Sequence, residues 1–176
     1  VELSMSTRKG QFISLREVLD EVGADAARFF FMMRHIKAHL DFDLELAKKE
    51  TPENPVYYVQ YAHARVFSIN KKAGESGVSA AREAFDKLNE EEEADLIKKL
   101  GVYPDMLKMC YDQLDPYPLV SYLQELASVF HRFYDKHRVV SEDHTLSEQR
   151  LGLVNATRIV IGNGLRLLGV SAPEQM

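Results

Sequence analysis

Asn54-Pro-Val-Tyr-Tyr-Val-Gln-Tyr-Ala-His-Ala-Arg65 puts three tyrosines, a glutamine, a histidine and an arginine on one helix that marks its own start. Asn54 suits an N-cap, and Pro55 the first helical position, where its missing N–H costs nothing. The helix is expected to begin there and to run until Gly74 stops it. At ~100° per residue, Tyr58, Ala62, Arg65 and Ile69 share a stripe with Tyr61 on its edge. Tyr58 and Arg65 then lie two turns apart, about 10 Å along the axis, a span that brackets one or two splayed nucleotides. Such a surface can stack bases and hold phosphates. The same residues also fit a core role, with hydrogen-bonded tyrosine hydroxyls and an arginine paired to an acid, so the helix alone leaves both readings open.

Working outward, nearly every segment has helical period, while alternating Val/Ile/Thr runs bounded by hairpin turns are missing, and the fold class is all-α. Ser14-Leu-Arg-Glu17 is a capping box that starts a short helix ended by Gly23. Asp25 is placed to cap a second helix over residues 26–34, whose Phe29, Phe30, Phe31, Met32 and Met33 call for burial nearly all round. A loop with His39-Leu-Asp-Phe-Asp43 and a short helix near residues 44–50 lead into the tyrosine helix. Gly74-Glu-Ser-Gly77 is the clearest linker, and beyond it helices are expected near residues 79–88, 90–100, 104–114, 116–136 and 146–168. Gly169 and then Pro173 stop the last of these, so the tail is expected to fold back over the bundle.

At 176 residues and 45% hydrophobic, the chain can bury a core without disulfides or metals. It has no apolar run near the ~20 residues of a membrane span and no basic-then-apolar start, so no membrane partner and a reducing cytoplasmic setting are expected. Cys110, between Met109 and Tyr111, reads as a small buried hydrophobe and not a nucleophile. The acids Glu90 to Glu93 read as a solvated helix start favoured by the macrodipole. No histidine follows a glutamate by three positions, and no cysteine pair occurs, which removes the usual di-iron and zinc patterns. Spacings of six and seven make His131, His137 and His144 surface or capping histidines, and His63 points away from the tyrosine stripe as a structural residue. Neither Gly-rich phosphate-cradling motif is present. A net charge of −5 argues against a broad basic field, so any RNA contact must be local. The segment Ser4-Met-Ser-Thr-Arg-Lys-Gly10, polar and basic, suits a mobile loop that sets cations on an anion.

Five blocks in order and spacing carry a resemblance: Met5-Ser-Thr-Arg-Lys-Gly10, Leu19-Asp-Glu-Val-Gly-Ala-Asp-Ala-Ala-Arg-Phe-Phe-Phe31, His39-Leu-Asp-Phe-Asp43, the tyrosine helix, and Leu165-Arg-Leu-Leu-Gly-Val-Ser-Ala-Pro-Glu-Gln-Met176. Together they resemble the C-terminal part of an arginyl-tRNA synthetase. The resemblance implies a helical anticodon-binding domain of a class I synthetase, divided into a remnant of the catalytic signature loop at residues 1–14, a helical connector at 15–50 and the anticodon-binding bundle at 51–176. It also implies a polypeptide without the catalytic domain, since the family's His-x-Gly-His signature is nowhere in the sequence. ATP with Mg2+, and arginine, would belong to that domain, leaving no cofactor here.

Within the resemblance, Ser4 and Thr7 stand at the two lysine positions of the loop whose cations stabilise the developing pyrophosphate charge, so Arg8 and Lys9 are the phosphate-loop candidates. The family's anticodon contacts fall on Tyr58, Arg65, Tyr134, Arg138 and Met176. Arg138 replaces an aromatic of some relatives and offers a guanidinium plane or a phosphate contact. Tyr57, Tyr61 and His63 then become scaffold. The expected partner is the anticodon loop of an arginine tRNA, bound by a monomer. Two alternatives stand beside this: the anticodon-binding domain of another class I synthetase such as the cysteinyl enzyme, and a helical protein-interaction module with the aromatic helix and the Phe/Met-rich segment forming a partner groove.

Overall fold

The computed structural model describes residues 13–176, which form seven helices and no strand: α1 (Leu15–Met32), α2 (Leu44–Ala47), α3 (Pro55–Glu75), α4 (Glu91–Gly101), α5 (Tyr103–Gln113), α6 (Tyr117–Lys136) and α7 (His144–Leu167). Arg8 and Lys9 lie outside the described residues. Local signals account for most starts. Ser14 Oγ accepts the Glu17 N–H while the Glu17 carboxylate reaches back to the Ser14 N–H at 2.6 Å, completing the capping box. Asn54 Oδ1 accepts from the Val56 N–H at 3.2 Å, and its amide donates to Ala47 O and Lys49 O, so this cap also fastens the end of α2. Gly23 breaks α1 as expected, at φ +78°, where a side chain would strain the backbone.

The long helix α6 is central and packs against α1, α3, α4, α5 and α7. Leu119, Leu123, Leu126, Phe130 and Phe133 recur at helical spacing on its buried face. Opposite them lie Phe29 of α1, Val59 and Val66 of α3, Leu96 of α4, and Ile161 and Leu165 of α7. Close approach of α6 and α7 requires Gly164, since a Cβ there would sit 2.7 Å from Leu123 Cδ2.

Several expectations are corrected. Residues 79–88 form no helix but a strap along α7: the Ala81 N–H donates to Glu148 O at 2.9 Å and the Lys87 N–H to Gln149 Oε1 at 2.8 Å. Satisfaction of the backbone by α7 outweighs the helical propensity of a segment too short to be stable alone. Helix α3 passes through Gly74 to Glu75, and Gly77, at φ +68°, carries the turn. Phe31 is 45% exposed and leans on Phe42, so the Phe/Met segment is buried on one side only. The Asp25 carboxylate, expected to cap the second half of α1, accepts from the Ser171 N–H at 3.1 Å and from Gln60 Nε2 at 3.0 Å.

The acidic start of α4 is not simply solvated. Glu93 is fully buried, with Oε1 accepting from Arg150 Nε at 2.6 Å and Oε2 from the Glu90 N–H at 2.9 Å. Glu92 accepts from Lys136 and from His137 Nε2, and these two bonds hold its carboxyl down at about 2. Two acids of the run therefore pin α4 to the end of α6 and to α7. The tail does fold back: Val170 is buried, Gln60 Nε2 donates to Ser171 O at 3.0 Å, and the His63 Nδ1–H donates to Pro173 O at 2.8 Å. That bond fixes the His63 tautomer, and burial pushes its imidazole below the ordinary value.

Candidate nucleic-acid interface

Where α3 and α6 lie side by side, residues 58, 61 and 65 of one helix face 131 and 134 of the other, each set separated by three or four positions and hence on one face. The Tyr58 ring centre is 4.6 Å from that of His131, and Tyr61 lies over His131 at 5.7 Å with planes 23° apart. The Arg65 guanidinium sits 4.9 Å from the Tyr134 ring centre and 5.9 Å from that of Tyr61. Tyr134 in turn stacks on the buried Phe130 at 6.1 Å, which ties the outer layer to the core. Tyr57 extends the row, nearly parallel to Tyr61 at 6.4 Å. The result is a continuous strip of half-buried aromatic planes with one guanidinium laid across it.

Tyr58, Arg65 and Tyr134 are thus brought together from distant parts of the sequence. Arg65 makes no ion pair among the described residues; its charge rests on two tyrosines. Tyr122 shows what a core tyrosine looks like here: it is buried, its hydroxyl donates to Lys99 O at 2.9 Å, and burial pushes its phenol upward. Arg138 follows the end of α6 with its side chain exposed, and its carbonyl accepts from Arg150 Nη1 at 2.9 Å, so the buried Glu93–Arg150 pair steadies that turn. Met176, half exposed, lies elsewhere, on the rim of a cavity of about 500 Å3 between α1, α2 and the start of α3 that Tyr57 and Gln60 also line. Tyr57 alone belongs to both the cavity wall and the aromatic strip.

Three residues of the strip, Tyr57, Tyr61 and His131, had another role in the sequence reading. Tyr61, assigned there to scaffold, lies between His131 and Arg65. His131, expected as a surface or capping histidine, is enclosed by Tyr58, Tyr61 and Phe130. Burial, assisted by Arg65, pushes its imidazole below the ordinary value against smaller upward pulls from the Tyr58 backbone and Asp135. Arg65 Nε and His131 Nε2 are buried without a hydrogen-bond partner. The signal available in sequence was the spacing 131 to 134, which puts His131 one turn before Tyr134 on the same face. His137 is likewise no free surface group, being bonded to Glu92, whereas His144 is exposed at the start of α7 beside Glu148. Cys110 is half-buried, with its thiol pushed up by burial and its Sγ 3.6 Å from Met106 Sδ.

A face of this composition can do one thing well: accept flat, unstacked rings on its tyrosines while a fixed cation balances nearby negative charge. Residues 59–176 match the family described as the DALR anticodon binding domain. The chain is 53% identical to an arginine–tRNA ligase of Syntrophotalea carbinolica over 99% of its own length and 32% of that protein. To the arginine–tRNA ligase of Staphylococcus epidermidis it is 44% identical, over 99% of itself and 32% of that protein. It therefore spans about a third of the length of these curated relatives. Among solved structures it superposes on an arginyl-tRNA synthetase from Campylobacter jejuni with a TM-score of 0.84 at 31% identity, covering 95% of this chain and 36% of that one. The Thermus thermophilus arginyl-tRNA synthetase gives 0.73 at 30% identity, covering 97% of this chain and 29% of that one.

Proposed function

The chain belongs to the DALR anticodon-binding domain family, and from this premise we propose that it reads the anticodon loop of an arginine tRNA as part of an arginine–tRNA ligase. The observation that carries the proposal is the Arg65 guanidinium lying over Tyr134 and Tyr61 beside Tyr58 and His131. Bases splayed from a single-stranded loop stack on the tyrosine planes, and Arg65 supplies a plane and a charge at one end. Arg138 contacts the flanking phosphate beyond α6, and Met176 closes the other edge beside Tyr57. With a net charge of −5, affinity comes from these local contacts and not from a general basic field.

In the same proposal the chain acts as a monomer in the cytoplasm, with residues 1–14, 15–50 and 51–176 as signature-loop remnant, connector and reading bundle. Arginine, and ATP with its Mg2+, are handled by the part of the ligase this chain does not match, with Arg8 and Lys9 as candidate cations for the ATP phosphates. Among the described residues no helix is long and apolar enough to cross a membrane. The relatives favour arginine over the cysteinyl alternative, and the unpaired guanidinium on an aromatic strip favours RNA over a protein groove.

Titration of the chain with synthetic anticodon stem-loops for arginine and for cysteine tests the reading. Salt-sensitive binding of the first and not the second supports it; equal binding of both, or of neither, overturns it.

A further inference from the structure

Against Tyr58 and Tyr61 of the strip, His131 occupies a place that a ring-shaped spacer would occupy. Its centre is 4.6 Å from that of Tyr58 and 5.7 Å from that of Tyr61, and Phe130 backs it at 5.5 Å. The ring therefore touches both candidate stacking planes at once. Its Nε2 is buried and lacks a partner, as does Nε of Arg65, so the two unsatisfied nitrogens lie in the same crevice between α3 and α6. A buried polar nitrogen without a bond is costly, and its retention inside an aromatic cluster calls for a reason beyond packing. We propose that His131 is a positioning residue of the anticodon-reading face: its imidazole sets the angle between Tyr58 and Tyr61 at which a base is received. This rests on the anticodon reading and adds to it a residue and a dependence on acidity.

The charged groups that His131 faces are Arg65, from α3, and Asp135, one turn along its own α6; Tyr58, Tyr61 and Tyr134 are the other titratable neighbours. Arg65 opposes a second positive charge, while the Tyr58 backbone and Asp135 are the smaller counterweights. A proton added to the ring would place a positive charge in a buried crevice beside a guanidinium. The protonated ring would turn outward to solvent, and the two tyrosines would lose the wedge that holds them apart. Acidification therefore disorders the platform before it unfolds the bundle. Binding should weaken as pH falls, even though extra positive charge by itself would favour RNA.

The test is the affinity of the chain for the arginine anticodon stem-loop at pH 7.5 and at 5.5, with His131→Phe and His131→Ala measured alongside. The natural chain should bind more weakly at pH 5.5 than at 7.5, by less than the roughly tenfold that an imidazole of ordinary pKa could give. His131→Ala should bind about tenfold more weakly at pH 7.5, and His131→Phe should recover part of that loss while showing no response to pH. Where His131→Phe fails to fold, His131→Gln provides the non-titrating variant. Tighter binding at pH 5.5, or an acid response that survives in the non-titrating variant, overturns the role of His131. No stem-loop binding at pH 7.5 overturns the anticodon reading itself.

Discussion

The guanidinium of Arg65 lies 4.9 Å from the ring centre of Tyr134, a cation from one helix held flat on an aromatic plane of another. Planarity, and not only charge, is what this arrangement uses. Arg65→Lys keeps the charge but loses the plane, and should weaken the arginine anticodon stem-loop by about 1 kcal/mol with the salt dependence unchanged. Arg65→Ala should weaken it further and also flatten the salt dependence. Equal affinities for the natural chain and Arg65→Lys would leave Arg65 a point charge.

Tyr58→Ala should cost about 1–3 kcal/mol in stem-loop binding, the usual worth of one stacked base. Since Tyr58 also packs on the core, thermal unfolding must be followed in the same variant. Full affinity in a folded Tyr58→Ala chain would remove Tyr58 from the face.

The buried Glu93–Arg150 pair links α4 to α7, and removing one partner strands the other charge. Glu93→Ala should destabilise the fold by about 3–5 kcal/mol, measured by denaturant unfolding. Replacing both with apolar residues of similar size should recover most of that loss. A small effect of the single change would mean that water reaches the site.

Acid should act in two separate windows. His63 and His131 both titrate below their ordinary value of 6.5, so the unfolded chain binds protons more readily and stability falls as pH drops below about 6.5. Glu92, held at about 2 against an ordinary 4.5, contributes stability above pH 4.5 that is lost as pH falls further. Melting curves at pH 7.5, 5.5 and 3.5 resolve the two. His63→Gln should remove part of the first step and leave the second untouched; a single step near pH 4 would contradict the histidine contribution.

Gly164→Ala places a methyl 2.7 Å from Leu123 Cδ2 and should destabilise the α6–α7 contact by about 1–3 kcal/mol. Leu123→Ala in the same chain should partly relieve it, which a double-mutant cycle would register.

Helix starts were legible because Ser14 with Glu17, and Asn54 with Pro55, state their caps within four residues. Residues 79–88 were not, since what holds them out of a helix are Glu148 and Gln149, distant in sequence. Glu93 looked like its neighbours because the sequence does not show which acid of a run turns inward to meet Arg150. In the candidate interface, the stripe on α3 followed from helical geometry alone, while its pairing with α6 rested on resemblance. His131 was missed because much of its environment comes from α3, which its own stretch of sequence does not show.

The bond from the Ser171 N–H to Asp25 joins positions 146 apart, a wider span than the 111 of Gln60–Ser171 or the 110 of His63–Pro173. Closing so long a loop is slow compared with pairing adjacent helices, so this knot is expected to be tied after the rest has formed. During synthesis, α3 and α6 can already stand together while residues 165–176 are still inside the ribosome. The aromatic strip is thus finished early and the cavity beside Tyr57 late, and a nascent chain not yet extended through residues 165–176 would carry the first without the second.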